Sequence, residues 1–243
     1  MKTYIITGTT SGIGLELVNQ LLEAGHTVYG IARKENDIDH PQYHHVLLDL
    51  TETSKLADTV KEIIKEVSPE ASSYTLINNA GTIDPIGMVG EIDGELIAKS
   101  IAVNLTAPMV LTGAFIHALA AIDMPKKVVQ ISSGAGRNAL DGWSSYCAGK
   151  AGLDRFTEAA QLEESNKRNG VRLVSIAPGI IDTSMQQTIR QSSTSAFPSV
   201  ERFKEYKASG QLSNAKDVAK KLIGFIESEQ FYKVDVLTDL RNL

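Results

Sequence analysis

Residues 4–18 read Tyr4-Ile5-Ile6-Thr7-Gly8-Thr9-Thr10-Ser11-Gly12-Ile13-Gly14-Leu15-Glu16-Leu17-Val18. The first four residues are aromatic or β-branched and suit a buried strand. A run of small residues then places glycines at 8, 12 and 14. From Ile13 to Ala24 the apolar positions Leu17, Leu21 and Leu22 fall on one helical face, and Gly25 supplies a stop. Strand, glycine loop and helix in direct succession let the backbone approach a bound diphosphate. The first turn of the helix adds unpaired N–H donors and the positive end of its dipole. The spacing is G-x-x-x-G-x-G, which departs from the G-x-G-x-x-G dinucleotide fingerprint. An ordinary glycine turn is the competing reading, and the strand–loop–helix context argues against it.

The same grammar recurs along the chain. Further strands are expected at Thr27–Ala32, His45–Leu48, Tyr74–Ile77, Lys127–Ile131, Val171–Ile176 and Tyr232–Leu237. Helices are expected at Ser54–Val67, at Glu95–Ala121 with a bend near Pro108, at Ser144–Asn166, and at Ala215–Glu227 with Ser213 or Asn214 as its cap. This alternation predicts an α/β, single-domain, Rossmann-type doubly wound parallel sheet of about seven strands, with helices on both faces. The polar stretch Gln186–Ser199 reads as a mobile loop or part of a substrate lid spanning about 182–210.

Composition narrows the function. The 243 residues carry 24 basic and 29 acidic side chains, a net charge of -5, with 42% hydrophobic residues. The chain is long enough for a full core and too apolar for disorder. Its acidic balance excludes a general nucleic-acid binder. The single cysteine excludes an internal disulfide and a cysteine-rich metal site. No signal peptide is evident, and no run of about 18 consecutive apolar residues suggests a membrane span. A soluble, cytoplasmic protein is expected.

Doubly wound sheets bind ligands beyond the carboxyl ends of their strands. The residues following each expected strand are therefore the candidates. After the first come Gly8, Thr10, Ser11, Gly12, Ile13 and Gly14. The second strand ends in Ala32 and then Arg33-Lys34, where an NAD-preferring site would carry an acidic residue. A guanidinium there suits a ribose 2′-phosphate and favours NADP(H), although a solvated basic pair is the bland reading. Asp49-Leu50, Asn79-Ala80-Gly81, Ser132-Ser133 and Pro178-Gly179-Ile180-Ile181-Asp182-Thr183 follow the other strands.

In order and spacing, T-G-T-T-S-G-I-G at Thr7–Gly14, N-N-A-G at Asn78–Gly81, V-N-L-T at Val103–Thr106, I-S-S at Ile131–Ser133, Y-C-A-G-K at Tyr146–Lys150 and P-G at Pro178-Gly179 resemble the short-chain dehydrogenase/reductase family over nearly the full length. Gly142-Trp143-Ser144-Ser145-Tyr146-Cys147 and Asp182-Thr183-Ser184-Met185-Gln186 look most like the benzil reductase and sepiapterin reductase members.

The resemblance implies roles. Tyr146 would donate a proton to a carbonyl oxygen, and Ser133 would orient that oxygen. Lys150 would bind the nicotinamide ribose and lower the Tyr146 pKa. Asn104 would support a water linking Lys150 to solvent. Ile181 and Thr183 would hold the carboxamide, Asp49 and Leu50 would border the adenine, and Asn79, Ala80 and Gly81 would line the ribose side. Elementary chemistry agrees: residues four apart on a helix share a face, and an ammonium favours a phenolate. Alone, a Tyr-x-x-x-Lys pair would be a common surface contact.

The expected function is an NADPH-dependent reductase of a small ketone or diketone, such as benzil or a pterin side-chain ketone. The alternatives are a nucleotide-sensing regulatory protein that keeps the fold and, on a related fold, a sugar-nucleotide epimerase. Trp143 is read equally as the floor of an aromatic substrate pocket and as core, with Leu140, Ile180 and Met185 as softer pocket candidates. Cys147 points about 100° from Tyr146 and reads as packing. His40, His44 and His45 lack a placed carboxylate, so no metal site is expected. Partners are a small carbonyl substrate and a second copy of the chain. A homodimer through Glu95–Ala121 and Ser144–Asn166 is favoured over a tetramer, because Val234–Leu240 lacks the glycine turn many family members carry there.

Overall fold

The computed structural model describes residues 1–67 and 71–243. Its strands are β1 (Thr3–Thr7), β2 (Thr27–Ala32), β3 (Tyr43–Leu47), β4 (Tyr74–Asn78), β5 (Lys126–Ile131), β6 (Arg172–Ala177) and β7 (Leu237–Asp239). Its helices are α1 (Gly12–Glu23), α2 (Thr53–Glu66), α3 (Gly94–Ile101), α4 (Ala107–Ala118), α5 (Ser144–Ser165), α6 (Ser184–Gln191), α7 (Val200–Ala208) and α8 (Ala215–Glu227). The sheet order is β3-β2-β1-β4-β5-β6-β7, and every neighbouring pair is parallel.

Period-two alternation sends β1 side chains to both faces. Tyr4 and Ile6 join α1 and α8 in one core, with Leu17, Leu21, Val218 and Leu222. Ile5 joins α2, α4 and α5 in the other, with Leu56, Val60, Leu111, Phe115 and Ala160. A third, smaller cluster gathers Ile83, Trp143, Tyr146, Ile189, Phe197 and Phe203 under α6 and α7. Helix α1 stops as expected: Gly25 takes φ +75, its N–H reaches Leu22 O, and the His26 N–H reaches Leu21 O. The Asn214 side chain caps α8 by accepting from the Lys216 N–H.

Four expectations are corrected. The third strand begins two residues earlier than expected, at Tyr43. The last strand is Leu237–Asp239 rather than Tyr232–Leu237, because Glu229–Tyr232 forms a 3-10 turn. Arg172 takes the carbonyls of Phe231 and Val234, and the Lys127 ammonium lies 5.0 and 4.9 Å from the Phe231 and Tyr232 ring centroids. Side chains therefore occupy the groups a longer ladder would have used.

The expected helix Glu95–Ala121 is α3 and α4 joined by a π turn at Ala102–Thr106. Pro108 has no N–H to give the Asn104 carbonyl four residues back, and the chain widens there. By length and composition Gly94–Ala118 does suffice to cross a membrane. In this fold it packs on the sheet, with Ala107, Leu111 and Phe115 fully buried. Finally, part of the polar stretch is helix rather than loop, with Gln186–Gln191 lying in α6.

Candidate active site

The chain leaves β1 to build the sheet in one direction through β2 and β3, and in the other through β4 to β7. The crevice at this switch point opens beyond the carboxyl ends of the strands. It is a cleft of about 1210 Å³. Among the residues expected from sequence, Gly8, Thr10, Ser11, Ile13, Arg33, Asp49, Leu50, Asn79, Ala80 and Gly81 line one end. Ser133, Trp143, Tyr146, Lys150, Pro178, Gly179, Ile181 and Thr183 line the other.

The glycine loop is built by close approach. A Cβ on Gly14 would lie 2.1 Å from the Gly8 carbonyl oxygen, and one on Gly8 would lie 2.9 Å from Ala80 Cα. The Thr7 hydroxyl oxygen accepts from the N–H groups of Asn79 and Ala80, both at 3.0 Å. The Asn79 amide donates back to the carbonyls of Thr7 and Gly8. The ends of β1 and β4 are thus clamped together. At the start of α1, Ser11 is extended and makes no side-chain cap. The first-turn N–H groups are left without a side-chain acceptor, and this cradle fits an anionic diphosphate. At the end of β2, Arg33 and Lys34 are exposed. Asp49 accepts from the Thr51 N–H and hydroxyl, which hold its carboxyl below the usual range, with Arg33 adding a smaller pull.

At the other end, Tyr146 and Lys150 stand on the same buried face of α5, and Ser133 follows β5. The Lys150 ammonium donates to the Ile131 carbonyl at 2.8 Å and lies 5.8 Å from the Tyr146 ring centroid. Burial pushes the Tyr146 phenol above its ordinary value, and the Ser133 hydroxyl works against that rise. Desolvation outweighs that hydrogen bond, and the phenol keeps its proton. Burial also lowers Lys150 to about 8, opposed by the charge of Asp154.

Asn104 does not line the cleft. It is fully buried in the π turn, with its amide clamped to both backbone groups of Thr82 and to the Ser100 hydroxyl. A Cβ on Gly81 would lie 3.1 Å from Asn104 Oδ1 and 3.5 Å from Lys150 Nζ, so the two side chains face the same small space across Gly81.

Trp143 combines its two sequence readings. It lines the cleft, yet it is only 4% exposed, stacks on Phe197 at 4.6 Å and 4°, and meets Tyr146 edge-on at 5.7 Å. Leu140, Ile180 and Met185 also line this end. Ile83, Ile189, Phe203, Tyr206, Arg202 and Arg241 line it as well and were missed. The three-residue spacing of Val200, Phe203 and Tyr206 was the available signal, hidden in a segment read as a lid.

The residues set aside have other engagements. Cys147 leans toward the Asn138 carbonyl. His44 stacks on Tyr29, His45 meets the Tyr43 hydroxyl, and His40 accepts from the Gln42 N–H. Among the described residues no cluster of metal-ligating side chains occurs.

A family model for the short chain dehydrogenases matches residues 2–194. The chain is 38% identical to the benzil reductase ((S)-benzoin forming) of Bacillus cereus over 98% of both chains. It is 36% identical to that of Bacillus subtilis (strain 168) over 93% of this chain and 94% of the relative. A sepiapterin reductase of Rattus norvegicus is 30% identical over 93% of this chain and 92% of its own length. Among solved structures, a short chain dehydrogenase/reductase from Saccharomyces cerevisiae superposes with a TM-score of 0.82 at 26% identity, covering 99% of this chain and 96% of its own. The chain belongs to the short chain dehydrogenase family. It is an oxidoreductase acting on carbonyl or hydroxyl groups, in a family that binds nicotinamide dinucleotides.

Proposed function

We propose that the protein is an NADPH-dependent carbonyl reductase acting on a small ketone or diketone, with an aromatic diketone of the benzil type as its best substrate class. The observation that carries this reading is the convergence of Ser133, Tyr146 and Lys150 on a cleft walled by Trp143, Phe203 and Tyr206. The bacterial relatives named for benzil reduction support the substrate class.

NADPH supplies the hydride. The cradle at Gly8–Gly14 and the free first turn of α1 suit its diphosphate, and Arg33 suits its 2′-phosphate. Pro178, Gly179, Ile181 and Thr183 would hold the nicotinamide, Asp49 and Leu50 would border the adenine, and Asn79, Ala80 and Gly81 would line the ribose side. Ser133 holds the substrate oxygen by its hydroxyl. Tyr146, kept protonated by burial, gives its phenolic proton to that oxygen. Lys150 would present its ammonium to the cofactor ribose, and Asn104, close to it across Gly81, would support the water through which the phenol regains a proton. Residues 182–210, with α6 and α7, act as the lid over the substrate.

The expected measurement is NADPH oxidation by benzil. Tyr146→Phe lowers turnover by about 10²–10⁴-fold while NADPH still binds. Turnover near the wild type in that variant would overturn the assignment. A protein that binds NADPH yet oxidises it with no member of a broad carbonyl panel would instead be a sensor.

The working form is a homodimer through α4 and α5, whose outer faces expose Met109 and Leu162. Light scattering should give twice the chain mass, and Leu162→Glu should give the monomer. The cytoplasm, where reduced cofactor is supplied, is the expected setting.

A further inference from the structure

Beneath the glycine loop, at the start of β3, the Tyr43 hydroxyl sits in a knot of polar groups. Asn36 Nδ2 donates to it at 2.6 Å, His45 Nδ1 lies at 3.1 Å and Thr9 Oγ1 at 3.4 Å. The Tyr43 ring is part of the apolar core on the α1 face, and Thr9 is fully buried. A phenolic hydroxyl offers one donor and accepts from others, so the knot satisfies it. Room for it is made in the strand beside it. A Cβ on Gly30, in the middle of β2, would lie 2.4 Å from the Tyr43 hydroxyl oxygen and 2.9 Å from Thr9 Oγ1. Glycine weakens a strand interior and often marks such a close approach.

The partners belong to three different segments. Thr9 is in the glycine loop, His45 is in β3, and Asn36 is in the connection from β2 to β3 that begins with Arg33-Lys34. Among the described residues, neither Arg33 nor Lys34 enters an ion pair, and both are exposed. Ile38 packs on the core and Gln42 reaches the Gly25 carbonyl farther along this connection, but the side-chain tether nearest Arg33-Lys34 is the hydrogen bond of Asn36 on Tyr43.

We infer that Tyr43 is a positioning residue for cofactor choice: through Asn36 and Thr9 it holds the Arg33–Lys34 connection in register with the glycine loop, where a ribose 2′-phosphate is to be gripped. The inference rests on the NADPH reading above. A diphosphate is served by backbone donors of the loop and is common to both nicotinamide cofactors. A 2′-phosphate is served by two long side chains, whose ordering must be paid at binding unless their backbone is already fixed. Loosening the tether therefore acts on the cofactor that carries the extra phosphate.

The test is a fluorescence titration of NADPH and of NADH with the wild type, Tyr43→Phe, Asn36→Ala, the double variant and Arg33→Ala, alongside the ligand-free melting temperature of each. The wild type should bind NADPH more tightly. Tyr43→Phe and Asn36→Ala should each weaken NADPH by about five- to tenfold, the worth of one hydrogen bond, and leave NADH within about twofold. The double variant should be no worse than Tyr43→Phe alone, since that variant already removes the Asn36 contact. Asn36→Ala alters only the connection and carries the test if Tyr43→Phe melts early. Equal weakening of NADPH and NADH by Asn36→Ala, or unchanged NADPH affinity, overturns the role of Tyr43 while the cofactor reading stands. A wild type without preference for NADPH, or an Arg33→Ala variant that weakens both cofactors equally, overturns the cofactor reading and this inference with it.

Discussion

Lys150 is buried, and its ammonium has been lowered to about 8 from 10.5. Two consequences follow at the scale of this residue, and their signs differ. For catalysis, the ammonium is mostly present up to about pH 8 and is lost above it, while the Tyr146 phenol stays protonated through neutrality. The rate of carbonyl reduction should therefore be nearly flat from about pH 6 to 7 and fall to about half near pH 8. For stability, the folded chain holds this proton less tightly than the unfolded chain. The cost is present in full below about pH 8 and is relieved as pH rises from there toward 10.5. Lys150→Met should abolish turnover and yet raise stability at pH 7 by about 2 kcal/mol, after allowing for the lost bond to Ile131. Thermal melts at pH 7 and pH 10 would check this, with the gain shrinking at the higher pH. A variant less stable than the wild type at pH 7 would contradict the argument.

At the scale of the element, the β1–loop–α1 unit was legible because its sequence states the same thing at each level. Alternating burial, close-approach glycines and an i, i+4 apolar face all agree. The shared face of Tyr146 and Lys150 on α5 was legible too, since residues four apart on a helix share a side. Two elements resisted. The π turn at Ala102–Thr106 carries ordinary helix formers, and its cause is a missing N–H two residues beyond it. Helices α6 and α7 are short and polar, and their stability comes from a few aromatic anchors rather than from propensity. Phe197 is the clearest of these, fully buried between Trp143 and Phe203, with centroids at 4.6 and 5.3 Å. Phe197→Ala should cost about 3–5 kcal/mol and lower the melting temperature. It should also raise KM for an aromatic diketone more than it lowers kcat, because it removes the support of the Trp143 wall and leaves Ser133, Tyr146 and Lys150 in place. A variant with unchanged KM would show that the wall does not bind substrate.

At the scale of the molecule, net charge misleads. The chain carries -5. The cleft, however, is lined by five cations, Arg33, Lys99, Lys150, Arg202 and Arg241, against two carboxylates, Asp49 and Asp84. A concave site with this excess draws anions toward itself while the rest of the surface repels them. The association rate of NADPH should fall as salt is raised from about 20 to 300 mM, measured by stopped flow, since the Debye length shrinks over that range. A rate indifferent to salt would show that steering is absent.

The order β3-β2-β1-β4-β5-β6-β7 has a further consequence. Residues that line this cleft run from Gly8, near the beginning of the chain, to Arg241, two residues from its end. No contiguous fragment contains the site, so occupancy is coupled to complete assembly rather than to any local segment. Cofactor concentration then becomes a dial on the lifetime of the whole protein. At a hundredfold excess over Kd it withdraws about 2.7 kcal/mol from every partly opened state that has lost the site. A cell rich in the reduced cofactor would hold the chain closed against proteases, and a cell depleted of it would expose idle copies to turnover.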